Sequence, residues 1–181
     1  MTGEYVVRPP VAEDAPAIAA THVRVWREAY AGVMPQDYLD GMDVEKSVAK
    51  WRLIIADESA AATRKRSDPV VKVTRIAEHI ATGDVIGFAT FAPARDEDPP
   101  TPGELWAINI LAAHHGSGVA DQLMAATVGD RPAYLWVVEQ NLRAQAFYRR
   151  HGFGVDGGTS VHEVTPTREI RMVRRSGSGA Q

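Results

Sequence analysis

Two short stretches carry residues of the right type and spacing for chemistry. In His114-His115-Gly116-Ser117-Gly118-Val119-Ala120, two glycines punctuate a turn between an apolar run and a helix-like run. Such a helix start leaves backbone N–H groups unpaired and backed by the positive end of the helix dipole, which suits a phosphate. Glycine there permits positive φ and lets phosphate oxygens approach the amides. In Asn141-Leu142-Arg143-Ala144-Gln145-Ala146-Phe147-Tyr148, helical spacing puts Ala144, Phe147 and Tyr148 on one face, where a phenol could donate a proton. Arg143, Arg149 and Arg150 are expected to look outward. Each stretch has a plainer reading: a G-x-G is often only a tight turn, and an inward tyrosine is often core. The turn is no dinucleotide fingerprint, since position 121 is aspartate, and no Walker loop, since no Gly-Lys-Ser/Thr follows. Adjacent His114 and His115 point apart and no nearby carboxylate completes a ligand set, so no metal is expected.

The elements that must position these groups are readable from periodicity. Tyr5 onward is a short strand stopped by Pro9 and Pro10. A helix follows, with Ala15, Ile18, Ala19, His22, Val25, Trp26, Ala29 and Tyr30 at helical spacing and Gly32 and Pro35 ending it. A second helix is expected over 44–56, with Val48, Trp51, Leu53 and Ile55 as its apolar face, and a mobile loop over 57–69. The runs VVKVTRIAEHI and DVIGFATFAPA around ATGD predict an antiparallel hairpin. ELWAINIL (104–111) reads as a buried central strand, then a helix from about Gly118 to Gly129, the buried strand AYLWVV, the helix over 141–150, and one or two closing strands. The last of these, REIRMVRR, alternates Ile170 and Met172 with polar neighbours. The fold class is α/β, a single domain over 1–175, with 176–181 as a disordered tail.

The bulk properties narrow the function classes. The chain has 181 residues, 45% of them hydrophobic, with a net charge of −3, which fits one soluble domain. Basic residues form no stripe, so no nucleic-acid partner is expected. There is no cysteine, which removes disulfides, thiolate ligands and cysteine nucleophiles together. No apolar segment is long enough for a bilayer, so no membrane partner is expected and a cytoplasmic location is the default.

Together, ELWAINILAAHHGSGVADQL and LWVVEQNLRAQAFYRRHGF resemble the paired signature of the GNAT superfamily of acetyl-CoA-dependent N-acetyltransferases. The glycine turn is similar to the family's pyrophosphate loop, [Gln/Arg]-x-x-Gly-x-[Gly/Ala]. The later helix is similar to its Asn-x-x-Ala-x-x-Phe-Tyr-x-x-x-Gly-Phe motif, at Asn141, Ala144, Phe147, Tyr148, Gly152 and Phe153. The opening strand and helix also look like those of small bacterial members. The resemblance implies a mixed, mostly antiparallel central sheet flanked by helices, with a splayed central strand pair. It implies acetyl-CoA as cosubstrate, its pantetheine arm beside the backbone of Ile108, Asn109 and Ile110 and its diphosphate on the amides of Gly116, Ser117, Gly118, Val119 and Ala120. Tyr148 matches the family's general acid, and Asn141 a position that braces the cofactor arm.

The resemblance further implies direct attack by a small-molecule or peptide primary amine in a ternary complex. Glu104 matches a strand-head glutamate that serves some members as base, and is equally readable as a solvated strand-end carboxylate; Glu139, His22 or a water are the other options. Trp26 and Tyr30 sit where the family walls its acceptor site, although as i, i+4 partners they could be plain core; Glu28 and Asp37 nearby would suit a cationic amine. His115 departs from the usual arginine or glutamine and weakens the electrostatic grip on phosphate, and the proline often found before the turn is absent. Two alternatives stand beside this reading: a non-catalytic acyl-CoA-binding or regulatory domain, and a nucleotide-binding module. A homodimer through the terminal strand or the splayed edge is an open option.

Overall fold

The computed structural model describes residues 3–62, 70–161 and 167–175. One seven-stranded sheet runs β1 (Tyr5–Arg8), β2 (Val73–His79), β3 (Val85–Pro93), β4 (Gly103–Ile110), β5 (Ala133–Val138), β7 (Arg168–Arg174), β6 (Gly154–Val161). Every neighbouring pair is antiparallel except β4 and β5, which are parallel. Helices α1 (Ala15–Ala29), α2 (Gln36–Asp40) and α3 (Val44–Ala62) lie against one face, and α4 (Val119–Thr127) and α5 (Leu142–Arg150) against the other.

The two faces follow from strand alternation. Ile76 and Phe88 point to the α1–α3 side, where they pack with Ala15, Ile18, Ala19, Trp51 and Ile55. Ala77 and Ala89 point to the α4 side with Val119 and Leu123. In the second half of the sheet, Leu135, Val137, Ile170 and Met172 pack with Met124, Val128, Tyr148 and Phe153.

Between β4 and β5 the ladder reduces to one position, Glu104 opposite Tyr134. Beyond it the strands diverge, and the sheet opens into a V. The register between β3 and β4 slips at Thr90/Phe91, which leaves Trp106 as the extra residue of a bulge, its indole N–H donating to the Pro93 carbonyl at 3.1 Å.

Two local expectations are corrected, and one element was not anticipated. α3 continues to Ala62 instead of stopping at Ala56. Its last turns are alanine-rich, a good helix composition, and Glu58 Oε1 fastens them to the sheet by accepting the Thr74 amide at 2.7 Å. The remainder of the loop expected over 57–69, from 63 onward, lies outside the described residues, as does the tail expected over 176–181. Leu53 is 73% exposed: the inner stripe of α3 runs through Val48, Trp51 and Ile55 with Ile54 beside it, and position 53 falls on the far side. The unanticipated element is α2, five residues led in by Pro35 and too short to carry a periodicity, which buries Leu39 completely. Among the described residues, no helix is long and apolar enough to cross a membrane.

His22 sits inside the α1–α3 layer, edge-on to Trp26, Trp51 and Phe88. Burial, with a smaller contribution from Lys50, pushes its pKa down from 6.5 to about 4. The folded state therefore holds this imidazole neutral where the unfolded chain would protonate it, so stability is lost as pH falls from about 6.5 toward 4. The depression is worth about 3 kcal/mol at full extent. His22→Phe, which keeps a ring in the aromatic cluster, should flatten that acid limb in urea melts taken at pH 7 and pH 4.5. An unchanged pH dependence would place the titration elsewhere.

Candidate active site

The V between β4 and β5 opens into a cleft of about 590 Å³ that passes from the α4–α5 side of the sheet toward α1. Its walls include Ile108, Asn109 and Ile110 of β4, Trp136, Val137 and Val138 of β5, and Asn141, Arg143, Phe147, Tyr148 and Arg150 around α5. Gly116, Gly118 and Ala120 close one end; Tyr30, the C-cap of α1, and Glu169 of β7 close the other.

The glycine end is built from backbone. Gly116 and Gly118 have φ of +79° and +85°, a left-handed conformation costly for any other L-residue, and a Cβ at either would meet nothing within 4 Å. Gly118 caps α4, so the first amides of that helix face the turn. Ser117 and Val119 do not line the cleft with their side chains. Ser117 Oγ donates to the His114 carbonyl at 2.8 Å and accepts the Val119 amide at 3.4 Å, while the Val119 side chain packs in the core.

His115 faces the cleft but spends its Nε2 proton on the Ile110 carbonyl at 2.9 Å. Burial lowers its pKa; the Ile110 carbonyl opposes that, Arg143 reinforces it, and Glu28 opposes it weakly. The neutral imidazole is thus a brace between the turn and the end of β4. The permanent charge at this end belongs to Arg143 and Arg150, which are exposed, as expected, and line the mouth of the cleft. His114 lines the cleft as well, and its Nδ1 hydrogen-bonds Tyr5 Oη at 3.0 Å. Among the described residues, no group of three or more His, Cys, Asp or Glu side chains is arranged to hold a metal.

Asn141 caps α5, its Oδ1 accepting the Ala144 amide at 3.1 Å. That cap fixes the helix whose inner face carries Tyr148. Tyr148 is 8% exposed, packed by Phe147 and Phe153, and burial raises its pKa, helped by Tyr30 across the V. Tyr30 is raised too, by burial first and then by the negative charge of Glu169, with a hydrogen bond to Asn141 acting against them. Both phenols are protonated at neutral pH and able to donate.

Glu104 is not in the cleft. It stands at the closed tip of the V, 1% exposed, with its carboxylate held by the Arg95 guanidinium, the Arg95 amide at 3.1 Å and the Tyr134 hydroxyl at 3.1 Å. The base expected at this position is therefore a structural carboxylate that pins β4, β5 and the loop after β3 together. Trp26 is the second correction: it packs edge-on between His22 and Tyr30 and lines no part of the cleft, whereas Tyr30 does. Of the other base options, His22 is half-buried among Trp26, Trp51 and Phe88 and lines no part of the cleft, and Glu139 sits outside it, 3.6 Å from Arg168. Asp37 is likewise absent from the lining, while Glu28 lines it but is engaged by the Ala112 amide at 3.0 Å and by Arg24 at 2.8 Å.

Two lining residues, Trp136 and Glu169, were not singled out from the sequence. The signal for Glu169 was present in REIRMVRR: if Ile170 and Met172 face inward, Glu169 and Arg171 occupy the opposite face.

The model of the acetyltransferase (GNAT) family matches residues 36–153, the span from α2 to the end of the Tyr148 helix and Phe153. The chain belongs to the GNAT acetyltransferase family. An N-acetyltransferase of Bacillus subtilis, YuaI, is 32% identical over 75% of this chain and 72% of its own length. Rv2775 of Mycobacterium tuberculosis, called a probable N-acetyltransferase, is 27% identical over 81% and 78%. Among solved structures, the PaiA N-acetyltransferase of Thermoplasma acidophilum in complex with coenzyme A superimposes with a TM-score of 0.68 at 16% identity, covering 94% of this chain and 98% of that one. The Corynebacterium glutamicum structure described as histone acetyltransferase HPA2 and related acetyltransferase gives 0.63 at 20%, covering 99% and 100%. These likenesses make the mixed seven-stranded sheet with its open V a GNAT fold, and this GNAT chain an N-acetyltransferase.

Proposed function

We propose that the protein transfers an acetyl group from acetyl-CoA to a primary amine by direct attack within a ternary complex. One observation carries this reading: the cleft through the V gathers an unladdered β4 edge, an amide-lined glycine turn, two arginines and a buried phenol on one continuous path. The residues present fit the cosubstrate. The open Cβ directions at Gly116 and Gly118 leave the turn's amides accessible to a diphosphate, with Arg143 and Arg150 supplying charge. The backbone of Ile108 to Ile110 offers the hydrogen-bonding groups of an edge strand to an extended arm. When bound, acetyl-CoA supplies the thioester to be cleaved. Tyr148 would hold a proton for the departing sulfur, and Asn141 would keep α5, and so the phenol, in register.

Acetyl-CoA at about 100 times its Kd should stabilise the fold by about 2.7 kcal/mol, a rise of about 5–10 °C in Tm for a domain of this size, while ATP and NAD leave Tm unchanged. Because His115 is neutral in the fold and its proton already engaged, the affinity for CoA should stay constant between pH 7 and 8.5 in calorimetric titrations. An affinity that falls as pH rises would mean that a charged His115 binds the phosphates. A shift with ATP or NAD but not CoA would favour the nucleotide-binding reading.

A further inference from the structure

The geometry points to Glu28 as a positioning residue for the cosubstrate: its carboxylate fixes the first amide of the turn that leads into Gly116, and so holds the glycine turn in the pose that receives a diphosphate. The inference rests on the acetyl-CoA reading above. Two features of the cleft conflict until Glu28 is given this role. The glycine end is the end suited to phosphate, yet a carboxylate lines the same stretch of cleft. A phosphate site calls for positive charge, and Glu28 supplies the opposite. Its contacts point to a different task. Oε2 accepts the Ala112 amide at 3.0 Å, and Oε1 accepts Arg24 Nε at 2.8 Å, one turn back along α1. The Ala112 amide foremost, against burial, and then Arg24 hold the carboxyl below its ordinary range, so it is ionised at neutral pH.

Ala112 opens a single 3₁₀ turn, Ala112–His114, between the end of β4 and Gly116. Its N–H is the first of that turn, the kind of donor that a helix start leaves without a partner of its own. Further along, little packing holds the chain. Gly116 and Gly118 stand at positive φ with open space where a side chain would be, and glycine has more conformational freedom to lose than any other residue. The pose of the turn therefore depends on side-chain hydrogen bonds. Tyr5 meets His114 at 3.0 Å, His115 meets the Ile110 carbonyl at 2.9 Å, and Ser117 meets the His114 carbonyl at 2.8 Å. Of these contacts and that of Glu28, only the last uses a carboxylate acceptor, which makes the stronger, charge-assisted bond. It also ties the turn to α1, whose C-cap, Tyr30, lines the far end of the cleft. A turn that visits its binding pose only part of the time binds less tightly, because the observed Kd is the intrinsic one divided by the competent fraction.

Bracing and charge predict opposite signs. Acting through charge alone, Glu28 would repel the diphosphate, and Glu28→Ala would tighten CoA binding. Acting as a brace, its loss weakens binding. Calorimetric titration of the full chain with CoA, at a temperature where melts show every variant folded, reads the difference. Glu28→Ala is expected to raise the Kd for CoA at least about fivefold. Glu28→Gln keeps a carbonyl able to accept the Ala112 amide and sheds the charge, and should stay within about twofold of wild type.

Residue 112 offers an independent rescue. Proline there has no N–H to satisfy and a fixed φ suited to the first position of a helical turn. Leu111, at φ −55° and ψ 138°, already has the extended conformation that proline demands of its predecessor, and Ala112 is exposed. Ala112→Pro placed in the Glu28→Ala chain should return the Kd to within about threefold of wild type, a non-additive pair. Equal or tighter binding in Glu28→Ala, Glu28→Gln as weak as Glu28→Ala, or no rescue by the proline overturns the role of Glu28 and leaves the cosubstrate reading in place. Failure of wild type to bind CoA overturns that reading and this inference with it.

Discussion

Tyr148→Phe is expected to reduce turnover about a thousandfold while leaving the KM for acetyl-CoA within about twofold. The substitution removes one oxygen and keeps the ring that packs with Phe147 and Phe153, so the inner face of α5 and the core beneath it should persist. What disappears is the buried phenolic proton that α5 presents to the cleft. Burial raises the phenol's pKa, so wild type should show no alkaline loss of activity from this group as pH passes its ordinary value of 10.0. Steady-state kinetics on the purified variant, with circular dichroism to confirm the fold, decide the matter. Undiminished turnover would take the acid role away from Tyr148.

The second large effect is one of stability and is asymmetric within a single ion pair. Glu104 is 1% exposed, whereas the Arg95 side chain is 57% exposed. Removing the arginine strands a buried carboxylate; removing the carboxylate leaves an arginine that can turn to water. Arg95→Ala should therefore cost about 3 kcal/mol, a Tm drop of about 6–12 °C, and Glu104→Gln markedly less. The same pair of variants tests the sequence expectation for Glu104. As a structural clasp its glutamine variant keeps turnover per folded molecule, measured against a thermal-melt baseline. A large loss of kcat in Glu104→Gln with Tm preserved would return it to the chemistry.

Element order was legible because the hydrophobic periods are clean: the 3.6-residue spacing from Ala15 to Tyr30, the hairpin around ATGD, and the apolar strands 104–111 and 133–138 all stand where composition put them. What escaped depended on partners distant in sequence. α3 extends past Ala56 because Glu58 finds the Thr74 amide, a contact that no local pattern announces. The motif positions from Gly116 and from Asn141 onward could be found because turn and cap chemistry demand particular residue types locally. The separation of Glu104 from Glu169 could not: both are glutamates on strands, and only the sheet order, which sets β7 beside β5 and closes the V at Tyr134, puts one at the sealed tip and the other at the open end.

The V has a consequence for how the molecule defends itself. Two strands that part company in mid-sheet expose the same unsatisfied ladder groups as an outer strand, the feature through which sheets recruit unwanted neighbours. Here those edges are recessed, walled by Tyr30 on one side and by Phe147 and Tyr148 on the other. With those walls in place, a neighbouring strand meets side chains before it meets the exposed ladder groups of β4.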